Sequence, residues 1–184
     1  MRKVGLQIGS SPIEMLLVVA ILTATVALCA SGMSNLVSEW RLRSVSLAVC
    51  DGLRLSRIEA IRRNGHVVMC KSNDGFQCKT TGDWSQGWIV FHDINNSRLV
   101  DGGETVLFRE AAISGKLLLS GNTPISKDVS YTFSGEAILP KGGFQAGTFT
   151  ISTRDSSSVP IFCIAVNKRG TYRVYKSYSG ICAS

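Results

Sequence analysis

The chain has 184 residues, with 20 Lys and Arg against 13 Asp and Glu, and a formal charge of +7. At 45% hydrophobic and 18% charged residues it is too apolar for a disordered protein and too short for a multi-span transporter. Its 18 Gly follow no collagen period, and two His are a thin supply for metal or acid/base chemistry. What remains is one domain with a single core and an appendage.

The appendage comes first. Residues 15–30 read MLLVVAILTATVALCA. Thr23 and Thr25 interrupt the run, and each hydroxyl can be satisfied on a helix carbonyl. Continued to Met33, the segment makes roughly 28 Å of helix, about the thickness of a bilayer core. Arg2 and Lys3 precede it and favour a cytoplasmic N-terminus. The residues allow three readings. One is a secretory signal peptide. Another is a lipoprotein signal at Cys29, where the preceding Leu28 is bulky. The third is a retained membrane helix. Glu14 separates them. An acid at mid-membrane costs roughly 2.5–3.5 kcal/mol, so a disposable signal has no reason to carry one. In a first helical turn the positive helix end favours the carboxylate.

Gly9-Ser10-Ser11-Pro12-Ile13-Glu14-Met15-Leu16-Leu17 resembles the class III leader junction of type IV pilins and type II secretion pseudopilins. That resemblance implies cleavage after Gly9 by a prepilin peptidase, N-methylation of Ser10, and an assembly role for Glu14. A neighbouring subunit's amine would then neutralise the Glu14 carboxylate. Ser10 stands where the family has Phe, and Pro12 where it has Leu. Proline is tolerated there because its missing N–H would be unpaired at a helix start anyway.

The helical pattern continues over 36–63. Leu42, Val45, Val49, Leu53 and Ala60 fall on one face. Arg41, Arg43, Arg54, Arg57, Arg62 and Arg63 occupy the rest and read as a solvated face rather than a nucleic-acid stripe. Asn64-Gly65 is a helix stop. A single rod from residue 12 to 63 would span roughly 78 Å, too long for the head alone to bury. Gly32 is its weak point, costing about 1 kcal/mol relative to Ala.

From residue 65 short β-branched and aromatic runs alternate with turn residues. Strands are expected at 66–71, 87–92, 105–109, 116–119, 129–133, 148–153, 161–167 and 172–176. Residues 93–103 read as a polar surface loop, and Pro140-Lys141-Gly142-Gly143 as a turn. The fold class is α+β. A long N-terminal helix, transmembrane in its first half, packs on an antiparallel sheet or sandwich head.

LSRIEAIRRNGHVVMC (55–70) and WSQGWIVFHDINNSRLVDGGETVLFRE (84–110), with a Cys-bearing terminal strand, resemble the GspH/FimT family. That family comprises minor pseudopilins of type II secretion and minor pilins of type IV pili. The resemblance implies a pilin-like fold divided into a leader (1–9), a transmembrane and assembly half-helix (10–33), an amphipathic half-helix (34–64) and a periplasmic β-rich head (65–184). It also implies a single-pass bacterial inner-membrane protein with its head in the periplasm, assembled into a pilus or pseudopilus. The expected partners are other pilins or pseudopilins, prepilin peptidase and the inner membrane. The expected role is structural, initiating assembly or sitting near the tip.

Cys70 and Cys78 flank seven turn-rich residues and suit a local loop staple. Cys163–Cys182, tying the terminal strand to the tail, is what the pilin resemblance implies. Cys50 then reads as a buried thiol and Cys29 as an apolar filler. Such pairing implies an oxidising periplasm. No C-x-x-C occurs, and His66 and His92 lack zinc partners at finger spacing, so no metal or cofactor is expected.

Enzymatic signals are absent from the sequence. Ser85 lies in G-x-x-S-x-G rather than a nucleophile elbow. His66 and His92 read as exposed strand-end residues. Asp101 and Glu104 read as turn polarity, and the chain is not expected to be an enzyme. A binding alternative is double-stranded DNA. Loss of Arg2 and Lys3 with the leader takes the charge from +7 to +5. Beyond Ser156, the chain carries Lys168, Arg169, Arg173 and Lys176 without an acid, interleaved with Tyr172, Tyr175 and Tyr178. Some FimT-like minor pilins bind DNA for natural transformation through a C-terminal G-R-x-R motif. Gly170 and Arg173 match it, Thr171 departs from it, and Arg169 lies just before the glycine.

Overall fold

The computed structural model describes residues 11–30, 33–113, 115–154 and 160–182, with side chains of 26–35 also outside the description. Gly9, Ser10 and the Cys29 side chain therefore lie outside the described residues. The chain divides into two units, Met1–Val37 and Ser38–Ser184.

The first unit carries α1 (Pro12–Ala30) and the first turn of α2 (Met33–Arg63). The amides of Glu14 and Met15 donate to the Ser11 carbonyl, so α1 starts at its proline. Thr23 Oγ1 donates to the Ala20 carbonyl and Thr25 Oγ1 to that of Leu22 (2.9 and 2.8 Å), which satisfies both hydroxyls within the helix. The rod expected over 12–63 is thus seen as two helical segments, and Ser31 and Gly32 between them are not described.

In the second unit α2 is followed, among the described residues, by nine strands. They are β1 (His66–Lys71), β2 (Trp88–Asp93), β3 (Val106–Glu110), β4 (Leu117–Gly121), β5 (Asp128–Tyr131), β6 (Ala137–Ile138), β7 (Gly147–Thr153), β8 (Ile161–Val166) and β9 (Tyr172–Ser177). Two antiparallel sheets result, ordered β3-β2-β1-β5-β6 and β4-β7-β8-β9. Eight of these strands overlap the runs expected from sequence. The two-residue β6 and short 3₁₀ turns at Trp84–Gln86 and Thr123–Ile125 lacked a periodic signal.

The core forms where three apolar surfaces meet. Leu42, Val49, Leu53 and Ala60 of α2 pack against Val67, Met69, Trp88 and Val90 of one sheet and Phe149, Ile151, Phe162 and Ile164 of the other. The alternation along each strand is the period-2 rule at work. Each fully buried large apolar side chain contributes roughly 1.5–3 kcal/mol. Gly52 permits the close approach of helix to sheet. A Cβ there would lie 3.1 Å from Trp88 Nε1 and 3.2 Å from the Met69 thioether.

The helix stops through backbone geometry. Asn64 is left-handed (φ 51°), its amide donates to Ile61, and the Gly65 amide donates to Ala60. This is the double bond of a Schellman end, with Asn rather than Gly at the left-handed position.

A smaller cluster (Val68, Cys70, Ile89, Phe91) lies on the opposite face of the first sheet, with Val100 of the 93–104 loop packed on it. That loop departs from a plain polar surface segment. Arg98 is buried, with Nη1 2.7 Å from Asp128 Oδ1 and Nη2 donating to the Ile138 carbonyl. Asp93 is fully buried and accepts from the amides of Ser97 and Arg98. Burial raises its pKa despite those two bonds.

Two disulfides close the head, Cys70–Cys78 and Cys163–Cys182, and Cys50 is free and buried. Loop-closure entropy puts each bridge at about 3 kcal/mol of constraint on the unfolded chain. Inside the first loop Asp74 Oδ1 accepts from the amides of Gln77 and Phe76, which hold its carboxyl well below the usual carboxylate range. Arg109 clamps the same loop, donating to the Gly75 carbonyl and covering the Phe76 ring.

Candidate assembly surface

The first unit presents an apolar exterior. Ile13, Met15, Leu16, Leu17, Val18, Val19, Ile21 and Leu22 of α1 are all exposed. Glu14 lies in the first turn of that helix, the sole acid there. A water-exposed helix of this composition would forfeit the hydrophobic gain of every side chain, so its surface calls for an apolar surrounding. Among the described residues, no helix is long and apolar enough to cross a membrane.

The second unit presents a helix with two faces. Its inner face is the core stripe. Outside, Trp40, Leu47, Ile58 and Ile61 are exposed. The arginines are less uniform than a solvated face. Arg62 and Arg63 both grip Glu59, at 2.8 and 2.7 Å, and the Arg62 bond leads in lowering the Glu59 pKa. Arg57 Nε donates to the Gly135 carbonyl, and Arg43 lies over the Trp40 ring. Clefts flank the helix among the described residues. One, of about 560 Å³, lies between Arg41, Val45 and Ala48 and the 110–117 segment. The other, of about 430 Å³, lies between Leu53, Arg54, Ile58 and Ile61 and the β8–β9 hairpin at Tyr172.

The basic C-terminal residues are only partly brought together. Asn167 organises the hairpin turn, its Oδ1 accepting from the amides of Arg169 and Thr171 and its Nδ2 donating to Thr171 Oγ1. Lys168 and Arg169 stand exposed at the tip, although the Lys168 ammonium sits over the Phe144 ring. Gly170 is buried with φ 71°, and a Cβ there would lie 2.2 Å from the Gly135 carbonyl oxygen. Along β9 the register divides the rest. Arg173 pairs with Ala165, whereas Lys176 pairs with Phe162, a core residue. Arg173 and Lys176 therefore occupy opposite faces. Lys176 is ion-paired with Glu39 and lies over the Phe162 ring. Tyr172 turns inward against the core.

The remaining polar candidates serve the fold. Ser85 Oγ accepts from the Leu119 amide at 2.7 Å and its carbonyl accepts from Ile113. His66 and His92 are half-buried rather than exposed, His66 opposite Asp93 in the β1–β2 register. Glu104 accepts from the amides of Ile94 and Asp101, and Asp101 from Ser97 and Asn95 side chains. Their carboxylates thus close the loop. Burial pushes the Cys50 thiol up to about 11, so it is a packed neutral group. Among the described residues, no group of three or more His, Cys, Asp or Glu is placed to hold a metal ion.

The sequence pattern passed over the outward apolar residues of α2. Their spacing (40, 47, 58, 61) carried the signal, but the stronger inner stripe masked it.

A family model described as "Type II transport protein GspH" matches residues 48–170. No curated protein matches the chain. Among solved structures, the type IV minor pilin FimU of Pseudomonas aeruginosa is similar at 15% identity and TM-score 0.55, covering 75% of this chain and 90% of that one. A second crystal form of the same pilin gives 14% and 0.52, covering 74% and 94%. The minor pseudopilin EpsH from the Type 2 Secretion System of Vibrio cholerae gives 12% and 0.50, covering 74% and 97%. At these identities the structural likeness speaks to fold, and the matched family covers most of the chain.

Proposed function

The chain belongs to the GspH family, and on that premise we propose a minor pilin or pseudopilin that is cut after Gly9, methylated on Ser10 and assembled through its N-terminal helix. The membrane anchor in this reading is the apolar run through residue 33. The head stands in the periplasm, and the subunit primes a fibre or sits near its tip. The observation that carries the reading is α1 itself, an exposed apolar helix with one acid in its first turn, attached to a head of the pilin fold. Such a helix finds its apolar surrounding first in lipid and then among its equivalents in a fibre. Glu14 is uncompensated in both until a neighbour's amine meets it. The role is structural, as for the family.

The test uses two changes in cells that assemble the fibre. Gly9→Val should leave a full-length precursor, read by N-terminal sequencing and gel mobility. Glu14→Ala should be cut normally yet fall out of sheared fibres by about tenfold or more, the loss of one buried charge pairing. A mature N-terminus still at Ser10 in Gly9→Val would refute the cleavage site. Full incorporation of Glu14→Ala would refute the assembly role.

A second reading adds duplex DNA, on the support of Arg169 at the exposed hairpin tip and Arg173 on the outer face of β9. Lys176 is drawn away by Glu39. Two phosphate contacts would give a shallow salt dependence, a slope of about −1.8 in log–log form. Arg169→Ala with Arg173→Ala should abolish an electrophoretic shift of labelled duplex at low salt. If the wild-type protein gives no shift there, the DNA reading is wrong.

A further inference from the structure

Lys71 ends β1 as a buried lysine, 3% exposed. Its ammonium donates to the Gly82 carbonyl at 2.7 Å and to the Thr80 carbonyl at 3.4 Å. Its amide donates to the Lys127 carbonyl, which ties a second lysine beside it. Both lysines line one cleft of about 270 Å³, together with Asp83, Ser120 and Ser126. Among the described residues, none from α2 or from the basic C-terminal stretch lines that cleft.

The charge around the cleft does not balance. An ammonium taken out of water needs acceptors and a counter-charge. Carbonyls supply the acceptors for Lys71. The ion pairs among the described residues include neither Lys71 nor Lys127. Asp83 is the acid that lines the cleft, and its Oδ1 already accepts from the Ser85 amide at 2.9 Å. Burial leads in lowering the Lys71 pKa, Asp83 opposes it, and Lys127 adds to it. Two cations therefore face one carboxylate that is partly engaged elsewhere.

We propose that the cleft between Lys71 and Lys127 binds a phosphate-class oxyanion. This goes beyond the assembly reading and does not depend on it. The sign of the cleft selects an anion. The donor type selects its shape. A lysine is a point charge with three donors, which serves a tetrahedral oxyanion from any side, whereas a planar carboxylate is best gripped by the fork of an arginine. A phosphate monoester carries about −1.5 to −2 near neutral pH, enough to offset both ammoniums. At about 30 Å³ per water, the cleft has room for such a group and a few waters. Ser120 adds a hydroxyl at its wall.

The neighbouring cleft shows why the site lies on this side. Across Ser126 and Lys127, a space of about 450 Å³ reaches Arg98. There Asp128 Oδ1 already meets the guanidinium at 2.7 Å, so that cation is spent. The uncommitted positive charge is on the Lys71 side.

Free phosphate and a phosphate carried on a larger molecule offer the same oxyanion, and the experiment separates them. The full-length protein in detergent is titrated with inorganic phosphate at fixed ionic strength, followed by calorimetry and phosphorus NMR line width. Saturable binding in the millimolar range is expected, with a rise in the thermal midpoint, because a ligand held only by the folded state stabilises it. Lys127→Gln should weaken binding about tenfold or more, the loss of one charge-assisted donor. Its side chain is exposed, so the fold should be unchanged. Lys71→Met should abolish binding, and if that variant fails to fold, Lys127→Gln alone decides. Arg169→Gln removes an exposed charge outside the cleft and should bind as wild type. Glycerol phosphate is the second probe. Its binding in competition with inorganic phosphate would support the site and identify a carried phosphate, and its exclusion beside saturable inorganic phosphate would support the site and identify the free ion. No saturable binding of either probe would overturn the proposal. So would wild-type affinity in Lys127→Gln, or equal losses in Lys127→Gln and Arg169→Gln.

Discussion

Gly170→Ala is expected to destabilise the head by about 3 kcal/mol, the sum of a left-handed backbone penalty and a steric clash. The backbone at 170 has φ 71°, where a Cβ costs energy even in open space. Space is also lacking. The added carbon would lie 2.2 Å from the Gly135 carbonyl oxygen and 2.7 Å from the Tyr131 ring. Neither neighbour yields easily, because Arg57 holds the Gly135 carbonyl and Tyr131 is fully buried. For a unit of this size the thermal midpoint should fall by roughly 6–12 °C, measured by circular dichroism on the full chain in detergent. A midpoint within a degree of wild type would mean that the hairpin does not pack on Gly135. The result also bears on DNA. The glycine of the basic C-terminal stretch has a sufficient structural cause, so a loss of binding in Gly170→Ala would report unfolding rather than a broken phosphate contact.

Trp84→Ala should cost about 3–5 kcal/mol, the range for truncating a fully buried aromatic. The indole meets the Phe149 ring edge-on at 5.0 Å and 82°, and Nε1 donates to the Ile125 carbonyl at 3.0 Å. Removing it empties the space between the 3₁₀ turn and β7 and orphans a buried acceptor. Trp84→Phe keeps most of the apolar bulk and loses the hydrogen bond, so it should cost about 1–2 kcal/mol. Urea unfolding followed by far-ultraviolet circular dichroism separates the two. Equal midpoints for Ala and Phe would show that the hydrogen bond, not the packing, carries the effect.

These two positions show what kind of information the chain displays openly. Trp84 sits in W-S-Q-G-W-I-V-F, where two tryptophans flanking a glycine announce a turn entering a strand. The fate of each indole was not legible. Trp88 turns to α2, while Trp84 turns to a sheet formed from strands more than thirty residues away. Gly170 was legible as a motif glycine, and its cause is a carbonyl thirty-five residues earlier. The polar loop at 93–103 was misread at Arg98 because burial of a charge depends on a partner, Asp128, that arrives only when β5 pairs with β1. The basic C-terminal cluster looked continuous along the chain. Alternation along β9 sends Arg173 and Lys176 to opposite faces, and Glu39 of α2 takes one of them.

By itself the sequence determined the elements set by local periodicity: the apolar N-terminal helix with its single acid, the inner stripe of α2, and eight of the strands. Period and turn chemistry are properties of neighbouring residues, so no partner is needed to read them. The tertiary structure alone decided which long-range surfaces are spent and which are left over. Burial, strand register and ion pairing join residues far apart in the chain. For that reason the outward stripe of Trp40, Leu47, Ile58 and Ile61 became visible only once the head had covered everything else it could.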